Sequence, residues 1–326
     1  MNNYPKASLG FFPTPVEKLS NLSKYLGGPL ISIKRDDQTG LALGGNKTRK
    51  LEYIIGDAIV QGADTVITAG ASQSNHCRQT AAAAAKYQLE CHLLLGGNEP
   101  EHGNGNLLLD KLFDCRIHWA GEHRKGEDIA SLAEQLKVAG RKPYVIPYGG
   151  SNELGAIAFC EAVKELKAQN SQGVQYSHIV FASSSGATQA GLMLGNKIML
   201  MNSQIVGICI DKDEINHLSL KQQVLKLANS AASKLEVESN FTDSDVVLNT
   251  DYIGGGYGVV GALEKEAISI MAKHEGILVD PIYTGRALGG LIDMIHNKQI
   301  SSNDHVLFWH TGGTPALFAF SDDIKA

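Results

Sequence analysis

The sequence predicts an α/β protein with two open, twisted, mainly parallel sheets flanked by helices. Three observations carry this. Apolar runs of strand length alternate with helical patterns along almost the whole chain. Those runs lack a consistent alternation of period two, as expected of strands covered on both faces. No Pro/Gly/Ser-rich linker interrupts the 326 residues, a length that fits two domains around a large core. One sheet is expected before about residue 150 and one after, closely packed, with a cleft between them.

The elements follow in order. Residues 64–68 (DTVIT) read as a strand and 79–87 as an alanine-rich helix. Strand 90–95, a helix near 106–113 and strand 116–119 come next. A helix near 128–139, strand 143–146 and a long helix over 154–169 complete the first half. The second half repeats the grammar. Strand 177–182, helix 189–200 and strand 204–210 precede helices near 261–274 and 287–296, and 304–310 is the last strand. No fixed-period repeat is visible.

Composition narrows the function. The net charge is −5, with no basic stripe, so nucleic acid is not an expected partner. No apolar run approaches the ~20 residues of a membrane helix. The first residues, MNNYPKASLGFFPTP, show no apolar segment of a secretory signal. Five cysteines without CxxC spacing predict neither a disulfide framework nor a zinc site, and favour a reducing, cytoplasmic setting. The eleven histidines include no HExxH, so no metal is expected. Glycine is in excess, at 35 residues. Where those glycines fall decides whether they serve turns or let backbone approach a ligand.

Several fall in chemically loaded segments. Gly44-Gly45-Asn46-Lys47-Thr48-Arg49-Lys50 places three cations in the first turn of a helical pattern, where the helix dipole disfavours them. Either that turn is simply solvated or it holds an anionic or carbonyl ligand, and a lysine in a cleft can form a Schiff base with an aldehyde cofactor. Gly70-Ala71-Ser72-Gln73-Ser74-Asn75-His76 lies between a strand and a helix, where α/β sheets bind ligands. One residue would suffice as a cap; four polar residues suit a carboxylate. Ala182-Ser183-Ser184-Ser185-Gly186-Ala187-Thr188 has the small residues and free N–H groups of a phosphate nest, without the P-loop or dinucleotide spacing. Asp280-Pro281-Ile282-Tyr283-Thr284-Gly285 and His310-Thr311-Gly312-Gly313 follow apolar runs; His310 alone reads as a core or cap histidine. Together these suggest a pyridoxal-phosphate site.

LALGGNKTRKLEY, ITAGASQSNHCRQTAAAAAK, ASSSGATQAGL, DPIYTG and FWHTGGTPALFA resemble the D-cysteine desulfhydrase and 1-aminocyclopropane-1-carboxylate (ACC) deaminase family, a branch of the tryptophan-synthase-β-like, fold type II pyridoxal-phosphate enzymes. The resemblance spans about residues 12–320. It implies pyridoxal 5′-phosphate in the inter-domain cleft, with Lys47 as the lysine that bonds it. Lys50, Ser185, Gly186, Ala187 and Thr188 are implied as phosphate contacts, and Asn75 as the partner of the 3′-oxygen. Ser74, Asn75 and His76 are implied to receive the substrate carboxylate. Tyr283 and Tyr257 stand near the ring. Lys47, Ser74, Tyr257 and Tyr283 are the expected catalytic residues, with Lys47 taking the Cα proton and a tyrosine protonating the leaving group. A large domain of 1–47 plus 157–326 and a small domain of 48–156 are expected, as is a homodimer.

ACC deaminases have Tyr-Glu-Gly where this chain has Tyr283-Thr284-Gly285, and an apolar residue where it has Thr311. A glutamate at the pyridine nitrogen keeps it protonated, the strong electron sink that opening a cyclopropane needs. A threonine cannot hold that proton, but a weaker sink suffices when sulfide leaves. Thr284 and Thr311 therefore favour elimination from D-cysteine, with ACC, or a related amino acid such as L-cysteate, as alternatives. Which threonine meets the nitrogen is open from sequence. The family's YGVPN is here Tyr257-Gly258-Val259-Val260-Gly261, which bears on the substrate pocket.

Overall fold

A computed structural model describes residues 4–171, 173–211 and 217–325. Ten strands occur in chain order: β1 (Val16–Lys18), β2 (Leu30–Arg35), β3 (Thr65–Ala71), β4 (Glu90–Gly96), β5 (Arg116–Trp119), β6 (Pro143–Val145), β7 (His178–Ser183), β8 (Gln204–Cys209), β9 (Val247–Asn249) and β10 (His305–His310). They form two sheets. One has the order β5-β4-β3-β6 and is parallel throughout. The other has the order β1-β2-β10-β7-β8-β9, parallel except where β1 pairs with β2. The last strand thus lies near the middle, Phe308 beside Ile33 of β2 and Val180 of β7.

The helices are α1 (Ser20–Tyr25), α2 (Lys47–Val60), α3 (Asn75–Lys86), α4 (Gly105–Leu112), α5 (Ile129–Val138), α6 (Glu153–Gln169), α7 (Ala187–Ile198), α8 (Leu220–Lys234), α9 (Ala262–Glu275), α10 (Thr284–His296), α11 (Pro315–Ala319) and α12 (Ser321–Ile324). Strands such as β7 and β10 are apolar along their length because helices cover both faces. The two largest core clusters among the described residues lie around Phe159, Phe181 and Trp309 and around Ile33, Val180 and Phe308, with two smaller ones around Ile67 and Leu94 and around Ile210 and Ile282. Among the described residues no helix is long and apolar enough to cross a membrane.

Sequence and structure differ at several boundaries. The strand β2 and helix α8 carry no prediction. Helix α3 begins at Asn75 rather than 79, because the Ser74 hydroxyl caps it by accepting from Cys77 N (3.2 Å). Helix α10 begins at Thr284 rather than 287, because Asp280 accepts from the N–H groups of Ile282, Tyr283 and Thr284 (3.0, 2.9 and 2.7 Å).

Candidate active site

Loops leaving the carboxyl ends of β2, β3, β6, β7 and β10 converge on one cleft. This is the end at which parallel sheets bind ligands.

Lys47 opens α2 and lines the cleft. The turn before it is made of glycine for steric reasons. Gly44 has φ 70°, and a Cβ there would lie 1.9 Å from the Asp37 carbonyl. Gly45 N donates to Thr39 Oγ1 (2.9 Å), Asn46 N to Thr311 O (2.9 Å) and Thr48 N to Gln79 Oε1 (2.8 Å). These bonds tie the lysine turn to β10 and α3. Burial draws the Lys47 ammonium down to about 8. Burial, then the charge of Lys47, holds Lys50 well below the usual lysine range. Lys50 Nζ donates to Gly149 O (3.1 Å), behind the cleft lining. The third cation turns away: Arg49 pairs with Asp36 and Glu165 (both 2.8 Å), and Glu165 also takes Lys34.

The first turn of α3 supplies Ser74, Asn75 and His76 to the cleft. The N–H groups of Asn75 and His76 have no partner within the helix. Asn106 Nδ2 donates to Asn75 Oδ1 (3.0 Å), which turns the Asn75 amide so that its NH₂ is left to donate. The His76 tautomer follows from its neighbour. The single hydroxyl hydrogen of Thr68 goes to Ile146 O (2.9 Å), so Thr68 Oγ1 accepts from His76 Nε2–H (2.9 Å). Nδ1 therefore carries a lone pair, buried and unpartnered among the described residues. Burial, then Lys47 and Lys50, keeps the ring neutral.

The first turn of α7 forms the opposite wall. Gly186, at φ 96°, precedes the helix and offers it no side-chain cap, and the Ala187 N–H reaches Ser151 Oγ only at 3.5 Å. Ser185 Oγ accepts from Ser151 Oγ (2.7 Å), and Thr188 Oγ1 from Asn46 Nδ2 (3.3 Å).

Tyr283 lines the third side and shares a hydrogen bond with Tyr257 (OH to OH 2.9 Å), the rings edge to face. Burial raises both phenols far above their ordinary range, so both remain protonated. Thr311 lines the cleft; Thr284 does not. Thr284 Oγ1 donates to Asp280 Oδ1 (2.7 Å) and accepts from Asp280 N (2.8 Å), fully buried. His310 is structural, its Nδ1 accepting from Gly312 N (3.2 Å) while Nε2 meets Leu278 O (2.9 Å).

The structure thus brings Lys47, Ser74, Asn75, His76, Ser185, Gly186, Thr188, Tyr283 and Thr311 to one cleft. Lys50, Ala187, Tyr257 and Thr284 stand behind it. Sequence reasoning passed over Tyr148 and Gly149, which also line it. Their signal was present: PYGGS follows β6 in the same strand-then-glycine grammar as the other loops.

A parallel two-sheet fold with a lysine, an anion nest and a carboxylate-type helix start in one cleft defines a pyridoxal-phosphate enzyme of the tryptophan-synthase-β-like class. Residues 7–312 match the family described as "Pyridoxal-phosphate dependent enzyme", and the chain belongs to it. Its relatives include the D-cysteine desulfhydrases of Yersinia enterocolitica and Klebsiella pneumoniae, each 42% identical over 98% of this chain and 97% of theirs. A crystal structure of an ACC deaminase homologue superposes with TM-score 0.90 at 38% identity, covering 99% of this chain and 96% of that one. A variant of O-ureido-L-serine synthase shares the fold at TM-score 0.68 and 15% identity, over 97% and 92% of the two chains.

The residues present fit the cofactor. The lone pair on His76 Nδ1 and the Asn75 amide offer an acceptor and a donor for polar ring substituents. The uncapped N-terminus of α7 suits a phosphate, and Lys47 presents an amine between them.

Proposed function

We propose that this protein is a carbon–sulfur lyase that converts D-cysteine and water to pyruvate, ammonia and hydrogen sulfide. One observation carries the reading: among the described residues the cleft lining holds an amine, hydroxyls and amides, and no carboxylate. With Thr284 committed to Asp280, Thr311 is the side chain left to face the ring nitrogen. A neutral hydroxyl there leaves a modest electron sink, which suffices when a thiolate departs from Cβ. The curated desulfhydrases at 42% identity support the same substrate.

Bound in the cleft, the cofactor supplies the sink for the electrons of the broken Cα–H bond. The chain does the rest. The substrate carboxylate is held by the Ser74 hydroxyl and the free N–H groups of Asn75 and His76. The first turn of α7 with Ser185, Gly186, Ala187 and Thr188 holds phosphate, and Lys50 adds a cation behind it. The Lys47 amine accepts the Cα proton, which its lowered proton affinity permits near neutral pH. Tyr283, backed by Tyr257, donates a proton to the departing sulfur.

The test is a panel of D-cysteine, L-cysteine, ACC and L-cysteate, with pyruvate, ammonia and sulfide measured. D-cysteine is expected to dominate, and Lys47→Ala to lose both turnover and the visible absorbance of lysine-bound cofactor. Turnover of ACC on a par with D-cysteine would overturn the reading of the threonines. Division into 1–47 plus 157–326 and 48–156, a homodimer and a cytoplasmic setting belong to the same proposal. Five free thiols support the last.

A further inference from the structure

Nine buried side-chain polar atoms among the described residues lack a partner, and five of them belong to three residues between α3 and α4. Arg78 Nη2 donates to Gly44 O (2.6 Å), but its Nε and Nη1 find no acceptor. Asn106 Nδ2 donates to Asn75 Oδ1 (3.0 Å) and Gln73 O (2.9 Å), yet its Oδ1 receives nothing. Both oxygens of Asp110 are likewise bare. All three side chains are wholly buried. Asn106 and Asp110 lie one turn apart on a single face of α4, and Arg78 lies one turn beyond Asn75 on α3. Arg78 and Asp110 attract one another without reaching ion-pair contact.

Two bare nitrogen donors and three bare oxygens are costly when left dry. A metal ion would satisfy Asn106 and Asp110 but repel Arg78, and an anion would do the reverse. Water alone accepts from the guanidinium and donates to both oxygen groups.

We propose that one or two buried waters join Arg78, Asn106 and Asp110, and that these three are positioning residues for the two loops that face the cofactor. Arg78 acts through the Gly44 carbonyl, three residues before Lys47. Asn106 acts through the amide of Asn75. The bridge makes the two loops move as one body, so the lysine and the amide keep a fixed separation. This rests on the proposed cofactor site for its consequence, but not for the water.

A crystal structure of the cofactor-loaded protein tests the water. Density within hydrogen-bond distance of Arg78 Nε or Nη1 and of Asp110 or Asn106 is expected. An Arg78–Asp110 contact pair, or an empty gap, overturns the proposal. Asp110→Asn, which keeps the shape, and Arg78→Lys, which keeps the charge, test the positioning. Each is expected to weaken pyridoxal-phosphate affinity about tenfold, the factor matching one hydrogen bond. Each is also expected to shift the pH midpoint of Lys47 acylation in the cofactor-free protein. Lower melting temperature with both readouts unchanged would reduce the three to a structural role and overturn the positioning. Failure of the wild type to bind the cofactor would sink the functional reading, while a crystal of the cofactor-free protein and the acylation midpoint still decide this one.

Discussion

Lys47 should behave as a free amine at neutral pH, and the effect is large enough to measure directly. Its ammonium sits on the first turn of α2, in the cleft, and burial lowers it from 10.5 to about 8. At pH 7 about one Lys47 in eleven is then neutral, against about one in 3,000 for an ordinary lysine, a gain of roughly 300-fold in reactive amine. The sign is fixed by the cause. Folding expels a proton from this group between about pH 8 and 10.5, so the cofactor-free protein gains stability as pH rises through that window. Competitive acylation of the cofactor-free protein with trace acetic anhydride, read by peptide mass spectrometry across pH, isolates the group. The exposed Lys325 serves as internal reference. The Lys47 peptide should reach half-maximal labelling near pH 8, more than two units below an ordinary lysine. Coincident midpoints would refute the reasoning, and with it the assignment of Lys47 as proton acceptor.

Four further outcomes are expected. Thr284→Val leaves Asp280 N and Oδ1 without their hydroxyl and should cost about 2–3 kcal/mol in urea unfolding. Thr311→Val should fold within about 1 kcal/mol of wild type, since among the described residues its hydroxyl bonds no side chain or backbone group, yet move the absorbance of bound cofactor. Glu165 is pushed up by burial, but Arg49 and Lys34 outweigh this and hold it at about 2. Its stabilisation is therefore present above about pH 4.5 and is lost as pH falls toward 2; Glu165→Gln should lose about 3 kcal/mol at pH 7 and little in acid. Gly312→Ala would set a Cβ 2.7 Å from the Gly45 Cα at φ 90°, and should abolish cofactor binding in an absorbance titration while the far-UV dichroism stays native.

Much of this was legible in the chain because its loops are short and follow strands of unmistakable apolarity. β3, β4, β7, β8 and β10 stand where the sequence places them to within a few residues. β2 escaped notice because Ser32, Lys34 and Arg35 interrupt its apolar residues, and Lys34 is buried only by virtue of Glu165, 131 positions away. α8 escaped although Leu220, Val224, Leu227 and Ala231 set its buried face at helical spacing, because Lys, Gln, Asn and Ser between them dilute the apolar pattern. At the site, residue type and local spacing pointed to Lys47, Ser74 and Asn75, whereas contacts at long range sorted the rest. That Arg49 serves an ion network, that Thr284 serves Asp280, and that Thr311 rather than Thr284 lines the cleft depend on partners no local pattern reveals. The Asp110 carboxyl, which burial pushes up to about 8, is similarly silent in sequence, reading as an ordinary surface aspartate on an amphipathic helix.

The central place of β10 governs how the site comes into being during synthesis. Nine strands leave the ribosome before it, yet β2 and β7 have no shared edge until β10 slides between them. Until then both present open hydrogen-bonding edges, the surfaces most prone to wrong pairing. The lysine turn waits on the same event, since Asn46 hangs from the Thr311 carbonyl and Gly45 rests against Gly312. A nascent chain that already contains Lys47, Asn75, Ser185 and Tyr283 therefore still lacks the Thr311 tie that helps to fix the lysine turn. Cofactor capture becomes a late, all-or-none step, and chains cut short of β10 are left with two mismatched half-sheets for quality control to find.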